Sequence, residues 1–142
     1  MDIQIPQDID DWNAAGKEYL PGLMGMTFSK VEPDEIIASL DVRTALKAWN
    51  GFLHAATVVA IADTACGYGA LLNLPSGSAG FTTAELKSNH LKTAQDGSIQ
   101  CRAWPLHVGR STQVWDAEVR AGDGEKAIAH FRCTQMILWP RG

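Results

Sequence analysis

The sequence predicts an α+β fold in which one antiparallel sheet curves around a single long helix. Residues 55–72 are apolar nearly all round and hold one carboxylate, a pattern typical of a buried helix. Two strand-like runs precede this segment and four follow it, with turn residues between them. A sheet with only one such helix must wrap around it to cover the apolar faces of both.

The elements before the long helix are short. A helix is expected over residues 8–18, because Ile9, Trp12 and Ala15 recur at helical spacing. The run Tyr19-Leu-Pro-Gly is expected to end it. Two strands are then expected around the Pro33-Asp34 turn, over residues 27–32 and 35–42.

Four strands are expected after the long helix, which the loop starting at Asn73 ends. They cover residues 80–91, 98–107, 112–120 and 126–138. Two of the breaks between them contain Asp-Gly, at 96–97 and 123–124, and this pair is a strong hairpin signal. The last run alternates, with Ala129, Phe131, Cys133, Gln135 and Ile137 on one side. The residues between them, such as His130, Arg132 and Thr134, share the other side.

Length and charge limit the class of protein. The 142 residues suit one domain over 1–142, with 1–20 as an N-terminal helical extension. A formal net charge of −4 argues against a nucleic-acid partner, because nucleic-acid binders are normally basic.

The cysteines and the N-terminus indicate the compartment. Cys66, Cys101 and Cys133 are scattered, so no zinc-ligand spacing is present and reduced, packed thiols are expected. The first twelve residues lack the apolar segment of a signal peptide. The apolar stretch 55–74 carries Asp63 and Asn73 and is a poor membrane span. We therefore expect a cytoplasmic protein without a metal or a membrane partner.

Asp63 and the start of the long helix are the candidate catalytic groups. The first amides of a helix lack internal partners and lie at its positive end, so those of Ala55 and Ala56 can stabilise an oxygen that gains negative charge. A carboxylate can activate water or attack a carbonyl carbon. These two groups suffice to hydrolyse a thioester, because the thiolate leaves easily. A purely structural Asp63 is the alternative, and these residues alone favour it, although burying a charge without a function is costly.

Four segments, in order over about residues 20–138, resemble a known family. Gly51-Phe-Leu-His54-Ala-Ala with Ala62-Asp63-Thr-Ala resembles the G-x-L-H-G-G…A-D-T-A pattern of phenylacetic-acid-degradation-type hotdog thioesterases. The run from Thr82 to Leu91 is similar to that family's T-x-E-L-x-x-N-F-L strand. Val108-Gly109-Arg110-Ser111 is similar to its G-R-[ST] loop, and residues 128–134 to its final strand.

The resemblance implies a hotdog-fold acyl-CoA thioesterase that needs no cofactor. Asp63 would be the nucleophile or general base, and the Ala55 amide would polarise the thioester carbonyl. His54 would shape that loop, and Thr83 of a neighbouring subunit would position water or the carboxylate. Gly109, Arg110 and Ser111 would border the CoA phosphates; Asn89 would lie at the rim of the site or on ordinary surface. The resemblance also implies a homodimer or homotetramer with its sites at the subunit interface.

Two departures and two other functions remain open. The family's G-G is Ala55-Ala56 here, and its asparagine six residues before the histidine is Ala48, so Asn50 is the candidate replacement. A hotdog dehydratase or hydratase would need a second catalytic acid. A non-catalytic acyl-CoA-binding module would not need Asp63. The acyl group, the number of subunits and the choice between nucleophile and general base are also open.

Overall fold

The computed structural model describes residues 4–122, 124 and 126–141. It confirms the predicted α+β hotdog architecture, in which a six-stranded antiparallel sheet curves around one long helix. Apart from a 3₁₀ turn at Thr44–Leu46, the elements in chain order are α1 (Ile9–Ala15), α2 (Leu20–Met24), β1 (Thr27–Glu32), β2 (Glu35–Asp41), α3 (Ala55–Leu72), β3 (Gly80–His90), β4 (Ser98–Val108), β5 (Thr112–Ala121) and β6 (Ala127–Leu138).

The strand order is β1-β2-β4-β5-β6-β3. β3 therefore lies at an edge and pairs with β6, whereas β4 pairs with β2 and β5. The hairpin signal at Asp96-Gly97 is consequently wrong as a pairing prediction, because the strands that this turn separates are not neighbours. Gly97 adopts a φ of 73° within a connection that crosses the sheet. At the other Asp-Gly pair, β5 and β6 do pair, and Asp123 lies outside the described residues.

One side of α3 forms the centre of the core. Ile61, Ala62, Ala65 and Cys66 are fully buried there and face the inner surface of the sheet. The opposite side, which includes Asp63, is only half-buried. The expectation of a helix buried all round is therefore wrong for the single chain, and α3 keeps one open face. By length and composition α3 could cross a bilayer, with a mean hydropathy of 1.5, but its inner side packs within the protein.

The N-terminal segment differs from the prediction in one respect. Tyr19-Leu-Pro-Gly does not simply end α1 but begins the short helix α2. Pro21 lies in the first turn of α2, where the missing N–H costs nothing. Gly25 ends α2 with a φ of 72°. The segment packs on the core helix, because the Trp12 ring lies 4.8 Å from that of Tyr68 on α3.

Candidate active site

A tight turn leads into α3. The Ala48 amide donates to the Phe52 carbonyl at 2.8 Å, and the Gly51 amide donates to the Ala48 carbonyl at 2.9 Å. Gly51 has a φ of 88°, a conformation that glycine adopts without strain. Asn50 Oδ1 accepts from the Phe52 amide at 3.2 Å. In this chain Asn50 thus bonds within its own turn, as asparagine often does.

His54 is the N-cap of α3. Its Nδ1 accepts from the Ala56 amide at 2.9 Å, so the neutral ring carries its proton on Nε2. The Ala56 amide, which the sequence offered as a second donor, is therefore occupied. The Ala55 amide has no partner among the described residues and is exposed. It is the donor that remains for a ligand at the positive end of the helix.

Asp63 lies on the open face of α3, where Thr83 on β3 reaches it. Thr83 Oγ1 is 3.4 Å from Asp63 Oδ1. Burial raises the pKa of Asp63 above its ordinary value, and the Thr83 hydrogen bond lowers it in part. The resemblance implied Thr83 from a neighbouring subunit. Within one chain Thr83 already contacts Asp63, and a contribution of Thr83 from a neighbouring subunit stays a prediction.

Gln135 lies behind Thr83 and was not among the predicted site residues. It is fully buried on β6, directly opposite Thr83 in the sheet register. Thr83 Oγ1 donates to Gln135 Oε1 at 2.9 Å. The available signal was a polar residue at an inward position of an otherwise apolar strand face.

The Ala55 amide and the Asp63 carboxylate are not brought together in one chain. Asp63 is eight residues after Ala55, which places it about 12 Å further along the helix axis. A reacting carbonyl must lie about 3 Å from both its attacking group and its oxyanion donor. One chain therefore supplies two half-sites, and these two groups do not meet at one carbonyl within it.

The loop at residues 109–111 lies at the far end of α3. It joins β4 to β5, whose Gln113 donates to the Asn73 carbonyl just beyond that helix. The start of α3 is about 26 Å away along its axis. The Arg110 guanidinium carbon lies 4.6 Å from the centre of the Trp139 ring. Gly109, Arg110 and Ser111 are thus remote from Ala55 of their own chain.

Asn89 also lies away from Asp63. It pairs with His130 of β6, whose side chain points outward, and therefore belongs to the outer face of the sheet. There it helps to line a groove of about 270 Å³ together with Lys87, Trp104 and Arg132. This face is opposite the one that packs against α3.

Known proteins are similar to this chain in fold and in sequence. Residues 50–128 match the thioesterase superfamily. A 1,4-dihydroxy-2-naphthoyl-CoA hydrolase from Listeria monocytogenes is 30% identical over 80% of this chain and 91% of its own. A 1,4-dihydroxy-2-naphthoyl-CoA hydrolase from Escherichia coli is 27% identical over 89% of this chain and 91% of its own.

A solved structure agrees with these matches. A mutant thioesterase from Pseudomonas aeruginosa superposes with a TM-score of 0.86 at 26% identity, covering 93% of this chain and 94% of that one. The chain belongs to the thioesterase superfamily, and it is a thioester hydrolase. Membership of the phenylacetic-acid-degradation type within that superfamily stays a prediction.

Proposed function

We propose that this protein hydrolyses an acyl-CoA to a free carboxylic acid and CoA, with Asp63 as its catalytic carboxylate. The observation that carries the proposal is the environment of Asp63. It is the one carboxylate of α3, it is half-buried, and a hydroxyl lies beside it. Burial raises its pKa, and a raised pKa makes a carboxylate a better base near neutral pH.

The Ala55 amide is the proposed oxyanion donor. It is exposed at the positive end of α3, and the small side chains of Ala55 and Ala56 let a substrate approach the backbone. His54 holds the neighbouring amide and thereby fixes the first turn. A preorganised donor of this kind contributes about 3 kcal/mol to transition-state stabilisation.

We further propose that a second copy of the chain completes each site. The separation of about 12 Å between Ala55 and Asp63 along the helix excludes their joint action within one chain. Asp63 and Thr83 lie where the open face of α3 meets the edge strand β3. A two-fold partner there would bring its own Ala55 amide, and its 109–111 loop, towards this carboxylate. The site would then lie within a homodimer or homotetramer.

Two routes for the reaction use the same residues. As a general base, Asp63 takes a proton from water while the water oxygen attacks the thioester carbon. The C–S bond then breaks, and the CoA thiolate leaves with that proton. As a nucleophile, the carboxylate oxygen attacks the thioester carbon instead, the C–S bond breaks, and the CoA thiolate leaves behind an acyl-enzyme anhydride. Water then hydrolyses the anhydride, which releases the carboxylic acid and restores the Asp63 carboxylate. The Ala55 amide stabilises the oxyanion in both routes.

The names of two relatives support a proposal for the substrate class. Two of them are named for an aromatic acyl-CoA, so we propose an aromatic acyl group for this enzyme. We also propose a cytoplasmic location, where CoA thioesters are formed and three buried free thiols stay reduced.

The test is thiol release from a panel of acyl-CoAs by the wild type and by Asp63→Asn. The panel holds acetyl-, hexanoyl-, palmitoyl-, phenylacetyl-, hydroxybenzoyl- and 1,4-dihydroxy-2-naphthoyl-CoA. We expect kcat/KM for the preferred substrate to fall about 10²- to 10⁴-fold in Asp63→Asn, the usual contribution of a positioned base. Asp63→Asn must fold and associate like the wild type, as judged by circular dichroism and sedimentation. Binding of acyl-CoA without turnover by the wild type would favour the binding module instead.

A further inference from the structure

A hydrogen-bonded network of four polar groups runs from half-buried Asp63 into the core. Thr83 Oγ1 lies 3.4 Å from Asp63 Oδ1 and 2.9 Å from Gln135 Oε1. Gln135 Nε2 in turn donates to Cys133 Sγ at 3.4 Å. Gln135 and Cys133 are both fully buried. Asp63 is the member of this network that lies on the open face of α3.

The hydroxyl of Thr83 cannot satisfy both acceptors at once, because it carries a single hydrogen. When Asp63 is protonated, it can donate to Thr83 Oγ1, and Thr83 can donate to Gln135 Oε1. When Asp63 is ionised, it only accepts, so the hydrogen of Thr83 must turn towards it. Gln135 Oε1 then loses its donor, and a buried acceptor without a hydrogen-bond partner is destabilising.

A rotation of the Gln135 amide removes this conflict. With the amide turned over, Nε2 donates to Thr83 Oγ1 and Oε1 accepts from the Cys133 thiol. Each of the four residues then has a hydrogen-bond partner while Thr83 donates to the carboxylate. The same four residues therefore have one fully bonded arrangement for each protonation state of Asp63.

We propose that Gln135 is a positioning residue for Asp63, whose amide holds the Thr83 hydroxyl and turns over as the carboxylate gains or loses its proton. This inference rests on the proposed function and goes beyond it, since Gln135 touches no substrate. When Asp63 is ionised, the Gln135 amide donates to Thr83 Oγ1, and this hydrogen bond polarises the Thr83 hydroxyl towards the carboxylate.

The titratable groups around this network are three thiols and one carboxylate that points away from it. Burial raises the pKa of Cys66 on α3, and raises that of Cys101 on β4 to about 12. The third thiol is Cys133 itself. On β3, Glu85 accepts from Thr134 Oγ1 at 2.9 Å on the outer face of the sheet, away from Asp63.

Gln113 provides a matched control. It is also a fully buried glutamine facing α3, and it lies directly opposite Gln135 in the pairing of β5 with β6. Its partners are different: Nε2 donates to the carbonyls of Ala70 and Asn73, and Oε1 accepts from Trp115 Nε1. A leucine at this position removes a buried amide without disturbing Asp63.

The experiment compares Gln135→Leu with Gln113→Leu in the folded oligomer. With hydroxybenzoyl-CoA, or the panel member turned over fastest, we expect Gln135→Leu to lower kcat about tenfold with little change in KM. The acidic limb of its pH–rate profile should move to higher pH, because the ionised carboxylate loses the donor behind Thr83. Gln113→Leu should leave the limb in place. Gln135→Met serves if the leucine variant does not fold.

A double-mutant cycle with Thr83→Val separates positioning from a general loss of packing. If Gln135 acts through Thr83, Gln135→Leu should change kcat little once the hydroxyl is gone. Additive losses in the cycle, or an unmoved acidic limb, would overturn the proposal while leaving the thioesterase assignment intact.

A second readout does not need turnover. The pH dependence of urea unfolding, compared with that of Asp63→Asn, reports the titration of Asp63 through proton linkage. If the wild type hydrolyses no thioester, the proposed function fails. A shift of this titration in Gln135→Leu would still support the positioning role, and an unchanged titration would refute it.

Discussion

Gly69→Ala is expected to destabilise the protein through a contact between α3 and the sheet. A Cβ at Gly69 would lie 2.3 Å from Cη2 and 2.4 Å from Cζ3 of Trp115. Carbon atoms in contact are about 3.5–4.0 Å apart, so the helix and the ring must separate by roughly 1 Å. Trp115 is fully buried, and its Nε1 donates to Gln113 Oε1 at 2.9 Å. The ring therefore has little freedom to move away.

The size of the effect follows from two opposing terms. Extra methyl groups forced into a packed core cost about 1–3 kcal/mol. Alanine recovers about 1 kcal/mol over glycine within a helix. Because the overlap at Gly69 is with a fixed ring, the upper part of the range applies, and the net loss is about 2 kcal/mol. With an m-value of about 2 kcal/mol/M, the urea midpoint should fall by about 1 M.

Gly67→Ala is the control on the same helix. A Cβ there would meet Phe81 Cζ at 3.5 Å, an ordinary contact, so the variant should be up to about 1 kcal/mol more stable. Both variants are unfolded in urea at two protein concentrations, which separates packing from subunit association. Equal stability of the two variants, or a Gly69→Ala variant at least as stable as the wild type, would refute the close packing of α3 on Trp115.

Two other outcomes are expected. Burial raises the pKa of Asp63 in the folded protein. The free energy of unfolding should therefore fall as the pH rises from the ordinary pKa of an aspartate to the raised pKa of Asp63, and it should stay lower at higher pH. Urea unfolding measured against pH should show this fall in the wild type and not in Asp63→Asn. The Trp49 side chain is wholly exposed, with a relative accessibility of 102%, so Trp49→Ala should change the unfolding free energy by less than about 0.5 kcal/mol. A larger loss that depends on protein concentration would place Trp49 between copies of the chain.

Local patterns predicted the elements well and the neighbours of the edge strand poorly. The bounds of α3 and β1 agree with prediction because composition and flanking turn residues define them. The placement of β3 beside β6 depends on residues between 39 (His90 and Ala129) and 58 (Gly80 and Leu138) positions apart in the sequence, and nothing in either strand alone indicates it. The Asp96-Gly97 signal was misleading for the same reason, since a turn sequence reports local bending and not which strands pair.

The sequence predicted which residues belong to the candidate site, but not which of them are in contact. His54 and Asp63 stand out because polar residues are rare in and beside an apolar helix. That Thr83 contacts Asp63 of its own chain follows from the packing of β3 against α3. Gln135 could not be found from the sequence alone, because a buried glutamine such as Gln113 has the same pattern without contact to Asp63.

A carboxylate at the proposed subunit interface needs an interaction that offsets the effect of burial on its pKa. In a single chain Asp63 is already half-buried, and this burial raises its pKa. A second copy over the open face of α3 would remove more water and disfavour the ionised form further. A base must still be ionised near the operating pH to take a proton. The hydrogen bond from Thr83 opposes the effect of burial, and Gln135 fixes that hydroxyl from a position where no substrate reaches. The buried amide therefore lets the carboxylate be basic and ionised at once.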